Sequence, residues 1–264
     1  MAGFRDFDAF YKTLYGDRWE SLRRALLGHN DAVGLRFNMK HEIEFLENPP
    51  EGVYRMDRAS VQAAKALHLP SEGTVLDACA APGGKTLVLA GGSGPQVHIE
   101  ANELSAERRR RMREVLKAHL PEAIRSRIRV TGYDAARLCR IRKDWYDAIL
   151  LDAPCSSERH VLNSPHALSE WTGARTRQLA VRQWSLLSSC FLMLKPGGCL
   201  VYSTCSISRL ENDGVMQRLV EKYGDRCNIV NGEWGERTAY GAIVLPDTSS
   251  GAGPLYVAHI HKKA

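Results

Sequence analysis

Thr74-Val75-Leu76-Asp77-Ala78-Cys79-Ala80-Ala81-Pro82-Gly83-Gly84-Lys85-Thr86 decides how the rest of the chain is read. The apolar run from Thr74 to Cys79 predicts a buried strand. Pro82-Gly83-Gly84 predicts a tight turn whose backbone can approach a ligand, and a helix from about Lys85 would aim its first amides at that ligand. Working outward, the alternation continues. Val97 to Glu103 reads as a second strand, Ala106 to Leu120 as a helix stopped by Pro121, and Arg127 to Tyr133 as a third strand. Tyr146 to Asp152 is the most hydrophobic strand, and its Ala148-Ile149-Leu150-Leu151 predicts burial on both faces. A helix over residues 175–194 ends at Lys195-Pro196-Gly197-Gly198, and the strand Cys199 to Ser203 follows. A helix over 210–223 and a strand over 255–260 close the pattern. Such alternation predicts an α/β fold, a parallel sheet with helices on both faces. Ligands of such sheets bind beyond the carboxyl ends of the strands. Asp77–Thr86, Glu103, Asp134, Asp152–Cys155 and Thr204–Cys205 all fall there.

Upstream, apolar residues recur at helical spacing from Phe7 to Leu26, predicting a helical segment over 4–28 broken at Gly16. Residues 37–50 read as irregular, and 60–68 as a short helix. Residues 1–70 are therefore expected to form a helical amino-terminal extension, and 71–264 the main domain. The 264 residues, 44% hydrophobic and 25% charged, suffice for one large α/β domain with a modest extension. A net charge of +6 fits an acidic partner such as RNA, and equally a soluble surface. The seven cysteines form no C-x-x-C pair, so neither a disulfide framework nor a metal site is expected. Cys190 and Cys199, in apolar stretches, read as small core residues. With no apolar leader or membrane-length run, and thiols that need a reducing compartment, a cytoplasmic protein is expected, with an organelle left open.

Two ligands compete for the glycine turn. Gly84-Lys85-Thr86 matches the end of a phosphate-binding loop, but the first glycine of that loop would fall at Cys79, which weakens the nucleotide-hydrolysing reading. Glu103, ending the second strand, could accept hydrogen bonds from both hydroxyls of a ribose, and Asp134 could bond an adenine amino group or merely cap a helix. Together they describe a nucleoside pocket. Cys155, in Asp152-Ala153-Pro154-Cys155, and Cys205, in Tyr202-Ser203-Thr204-Cys205-Ser206, add two thiols at neighbouring strand ends. A thiolate adding to carbon-6 of a pyrimidine makes carbon-5 nucleophilic enough to take a methyl group, and a second group must then help release the adduct. Asp152 could share a proton with ring nitrogen-3. The residues alone leave open which cysteine attacks, since a Pro-Cys pair is the nucleophile in DNA cytosine methyltransferases.

These motifs, with Glu211-Asn212 after the second cysteine, resemble the set found in Nop/Sun-domain RNA (cytosine-5)-methyltransferases, including their RsmB/RsmF-like branch. The likeness runs from about Phe7 to the end of the chain. Tyr15-Gly16-Asp17-Arg18-Trp19 most resembles members acting on small-subunit ribosomal RNA, the mitochondrial branch included. The resemblance implies a Rossmann-like methyltransferase sheet and S-adenosylmethionine bound along Cys79, Ala80, Ala81, Pro82, Gly83, Gly84, Lys85 and Thr86. Glu103, Arg108, Asp134, Ala135 and Asp152 would complete that site. It makes Cys205 the nucleophile and Cys155 the residue that assists product release. The family usually has Asp where Glu103 stands, a departure the longer side chain can accommodate. It implies RNA as partner, ribosomal before transfer RNA, with a protein partner for targeting left open. Arg159 and His160, just after Cys155, and Arg18, Arg36 and Lys40 in the extension are the RNA-contact candidates. The run Arg108 to Arg113 is expected to face solvent except at Arg108.

Overall fold

The computed structural model describes residues 6–230 and 234–264; positions 4–5 of the predicted first helix lie outside them. The Asp6 carboxylate accepts from the Ala9 amide at 3.1 Å and caps α1 (Phe7–Tyr15), which Gly16 ends with φ of 57°. A short 3-10 turn leads into α2 (Trp19–Leu27). This pair matches the predicted helical segment and its break. Phe7, Tyr11, Trp19, Leu22 and Leu26 are buried. Tyr11 stacks on Trp19 at 5.3 Å, and Phe7 meets the edge of Trp171 at 5.1 Å.

The irregular stretch expected over 37–50 is partly wrong. β1 (Ala32–Phe37), β2 (Ile43–Leu46) and β3 (Tyr54–Asp57) form an antiparallel sheet in the order β2-β1-β3. β2 and β3 are short and mostly half-buried, so they carry no clean alternation to read. α3 (Arg58–Lys65) follows, its first amides held by the Asp57 carboxylate.

The main sheet is built by β4 (Gly73–Asp77), β5 (Val97–Asn102), β6 (Ile128–Thr131), β7 (Tyr146–Asp152), β8 (Leu194–Thr204), β9 (Cys227–Val230), β10 (Glu236–Arg237), β11 (Ala242–Val244) and β12 (Leu255–Lys262). Between them run α4 (Gly84–Gly92), α5 (Ala106–His119), α6 (Glu122–Arg125), α7 (Glu158–Leu162), α8 (Pro165–Ser169), α9 (Gly173–Met193) and α10 (Asp213–Tyr223). Among the described residues the order is β10-β11-β12-β8-β7-β4-β5-β6, with β9 also on β12. β6, β5, β4, β7 and β8 are parallel, as predicted. β12 is antiparallel to β8, and β9 and β11 are antiparallel to β12. No helix crosses over between β11 and β12, and without a crossover a strand can only return antiparallel. Order reverses at β4 and β7, the switch point where ligands bind.

β7 shows why its sequence is apolar throughout. Ala148 and Leu150 face one core with α3, α4 and α5, while Ile149 and Leu151 face the other with α1, α2, α9 and α10. The extension thus contributes to both cores: α1 and α2 to one, Val33, Leu35 and α3 to the other. No helix among the described residues is long and apolar enough to cross a membrane.

Candidate active site

The turn after β4 is pinned before it bends. Ala78 N donates to Leu150 O at 2.9 Å, Ala80 N to Asn102 O at 2.8 Å, and Asn102 Nδ2 to Ala78 O and Tyr133 O. Gly83 has φ of 115°, a backbone state that L side chains rarely adopt. A Cβ on Gly84 would lie 2.8 Å from the Tyr54 ring, so β3 of the extension packs directly on the turn. Gly83 faces Met112 and Val115 of α5, and Thr86 is buried with its hydroxyl on Asp77 at 2.7 Å. These two residues therefore support the turn from behind. Burial pushes the Asp77 carboxyl up to about 7, helped by Asp152 and opposed by Thr86.

A cavity of about 560 Å³ opens at the carboxyl ends of β4, β5, β7 and β8. One end is lined by Cys79, Ala81, Glu103, Arg108, Tyr133 and Ala135, the other by Asp152, Cys155, Ser157 and Cys205. Across the turn, Ala80, Pro82, Gly84 and Lys85 line a smaller cavity of about 180 Å³, which Asp152 also reaches. Glu103 accepts from Ser105 N at 2.8 Å through Oε1. Its buried Oε2 has no hydrogen-bond partner, although the Arg108 guanidinium lies 3.2 Å away. Arg108 instead donates to Ala81 O at 2.8 Å. Asp134 is clamped by Arg182 at 2.6 Å; burial would raise its carboxyl, and that hydrogen bond holds it below the usual range.

Lys85 Nζ lies 2.7 Å from Asp152 Oδ2, and Ser203 Oγ donates to Oδ1 at 2.9 Å. Burial alone would lower the Lys85 ammonium, but Asp152 more than offsets it and the ammonium is held above its ordinary value. The two thiols face each other with Sγ atoms 2.9 Å apart. Ser157, at φ of 54°, puts its hydroxyl 3.1 Å from Cys205 and 3.5 Å from Cys155. The hydrogen bond to Cys205 and then burial push Cys155 up. The hydrogen bond from Cys155 pulls Cys205 below the usual thiol value, against burial and with help from Ser157. Both directions favour Cys205 as the thiolate partner of the pair.

Beneath both cysteines lies a buried acid pair. Ser156 and Ser206, each next to a cysteine, share Glu158 and Glu211 between their hydroxyls. Tyr11 of α1 donates to Glu158, and Gln183 of α9 to Glu211 at 2.7 Å. Burial, then the Glu158 charge, push Glu211 up to about 7. Ser156, Ser157, Glu158, Arg182 and Tyr54 were not singled out from the sequence. Glu158 pairs with Ser206 across 48 positions, and no local pattern announces such a partnership.

On the far side of Cys205 is a cavity of about 360 Å³ lined by Asp57, Ser157, Arg159, His160 and Asn163. Two RNA-contact candidates, Arg159 and His160, therefore stand beside the thiol. Arg159 donates to Gly251 O at 2.8 Å and to His29 O at 3.3 Å. The extension candidates fare differently. Arg18 is engaged by Glu236 and Asp247, so it ties the extension down and does not present a free charge. Arg36, exposed on β1, pairs with Glu44 at 2.7 Å, and Lys40 is exposed in the β1–β2 turn.

A family model described as 16S rRNA methyltransferase RsmB/F matches residues 64–260. The chain belongs to this family. It is 36% identical over 228 residues to 5-cytosine rRNA methyltransferase NSUN4 of Mus musculus, a match covering 79% of this chain and 60% of that protein. It is 31% identical to the mitochondrial tRNA (cytosine(34)-C(5))-methyltransferase of Danio rerio, over 79% of this chain and 60% of that one. A methyltransferase homolog protein from Pyrococcus horikoshii shares the fold, with a TM-score of 0.76 at 23% identity over 96% of this chain and 93% of that structure. The RsmB/F chain described here thus spans about 60% of the length of these two curated relatives.

Proposed function

We propose that the protein transfers a methyl group from S-adenosylmethionine to carbon-5 of a cytosine in RNA, through a covalent adduct on Cys205. The observation that carries this reading is the pair of unequal thiols, Cys205 favoured as thiolate and Cys155 as thiol, at the end of the cavity beside the glycine turn. The cavity suits the donor: the buried Glu103 Oε2 lacks the donor that a ribose hydroxyl would supply. Cys79, Ala81, Arg108 and Ala135 would wall the nucleoside, with Arg182 at the cavity wall, held by Asp134, which does not itself line the cavity. S-adenosylmethionine held there would supply an electrophilic methyl group.

The chain's own groups do the rest. The Cys205 thiolate adds to carbon-6 and leaves carbon-5 as the nucleophilic end of an enamine. Asp152, which could donate or share a proton with nitrogen-3, accepts hydrogen bonds at both oxygens, one from an ammonium. The Lys85–Asp152 pair together therefore serves that edge of the ring, Lys85 carrying the proton. Once the methyl group is on carbon-5, the carbon-5 proton passes to a base (solvent reaching the cavity, or Cys155 after its own proton has gone to solvent), the carbon–sulfur bond breaks, Cys205 departs as thiolate and the nitrogen-3 proton returns to Lys85. Cys155, in contact with it, assists that step.

The cavity beyond Cys205 would admit the nucleotide flipped out of a single-stranded or loop segment, with Arg159 and His160 at its rim. Ribosomal RNA is the preferred substrate because the family model is described by it and the mouse relative is named for it. The zebrafish relative supports transfer RNA as the second reading, and its name places that protein in mitochondria. Seven free thiols suit either compartment, so the organelle stands level with the cytoplasm expected earlier. Methylation of small-subunit and transfer RNA by the purified chain tests the reading. The Cys205→Ser variant is expected to lose at least about a thousandfold in rate. Full activity in that variant, or nucleotide hydrolysis surviving loss of both cysteines, would overturn it.

A further inference from the structure

Far from the catalytic thiols, three ligand-type side chains from three elements converge. His68 follows α3, Cys199 lies on β8 where regular pairing with β7 resumes, and His261 stands opposite Cys199 on β12. One ligand atom from each lies within 4.8 Å of the other two. The His68 and His261 rings are 6.0 Å apart. Cys199 is buried, His261 half-buried and His68 exposed, so the cluster is reachable from solvent. Cys199 lies six positions before Cys205, with five residues of β8 between them, about 20 Å of strand.

An independent feature points the same way. His259 is two residues from His261 and so on the same face of β12. It is only 8% exposed, and its Nε2 has no hydrogen-bond partner among the described residues. Two or three imidazoles and a thiol in this space have no carboxylate among them to balance a proton. Imidazole with thiolate is a donor set that suits zinc(II) better than magnesium or calcium.

We propose that His68, Cys199 and His261 form a zinc(II)-type site, completed by His259 or water, that pins the segment after α3 to the paired strands β8 and β12. Binding forms a metal–sulfur bond as the Cys199 thiol gives its proton to solvent, while the imidazoles bind through neutral nitrogens. The ligands sit at positions 68, 199 and 261, with no local spacing to betray them, and Cys199 reads in the sequence as a core residue.

Cobalt(II) titration of the chelator-treated full chain tests this. The expected result is saturable one-to-one binding with a thiolate-to-cobalt charge-transfer band, displaced by zinc(II). Cys199→Ser should abolish that band, and His68→Asn, at an exposed position, should weaken binding more than about tenfold. Cys205→Ser should leave the band intact. Absence of saturable binding would overturn the proposal. So would a band that survives in Cys199→Ser but vanishes in Cys205→Ser, which would put the metal on the catalytic thiols.

Discussion

Ser157 holds its hydroxyl between two thiols only because its backbone adopts φ of 54°. Its hydrogen bond is one of the contacts that favour the Cys205 thiolate, and a hydrogen bond to a charged group contributes about 1.5–3 kcal/mol. Ser157→Ala is therefore expected to cut methyl transfer at neutral pH about tenfold and to move the alkaline rise of the pH–rate profile upward. A profile unchanged in position would show that Ser157 does not tune the thiol. Glu211 makes a different statement. Its folded value, about 7, lies above the ordinary 4.5. The stability linked to its proton is present in full below pH 4.5 and lost as the pH rises through about 7. Urea unfolding of wild type and Glu211→Gln between pH 5 and 8 should show wild type losing roughly 2–3 kcal/mol relative to the variant as the pH rises. At this scale the sequence exposed the two cysteines, the glycine turn and the strand-end acids, because each sits in a contiguous motif. It hid Ser157, Glu158 and the role of Glu211, whose partners lie some fifty positions away.

Strand and helix positions in the main sheet were legible because β7 and its neighbours are apolar on both faces and helices such as α5 and α10 stop at Pro121 and Gly224. β1 to β3 were not, since short half-buried strands lack a period-2 signal. Yet this small sheet sets the back wall of the cofactor turn through Tyr54 and Gly84. Gly84→Ala would drive a methyl group into the Tyr54 ring, an overpacking cost of about 1–3 kcal/mol, and should weaken S-adenosylmethionine binding about tenfold. Combining it with Tyr54→Ala should restore much of that affinity in a calorimetric titration. Additive losses in the double variant would mean that the contact is not what shapes the turn.

At the scale of the whole molecule, the extension is tied into the main domain. Tyr11 reaches the acid pair under the thiols, Tyr15 donates to Ile207 O at 2.8 Å, and Arg18 joins Glu236 and Asp247. Removing residues 1–50 would uncover Trp171, which packs on Phe7, Phe10 and Tyr11, so thermal stability and S-adenosylmethionine binding are expected to fall together with RNA methylation. With a net charge of +6, binding to RNA should weaken steeply with salt, while the pocket that holds the donor should change little. The central claim, a covalent adduct on one thiol released with help from the other, has a direct test. Cys155→Ala expressed in cells should carry RNA that stays attached under denaturing conditions, and replacing Cys205 as well should remove it. No attached RNA in Cys155→Ala, or RNA that persists without Cys205, would contradict the account.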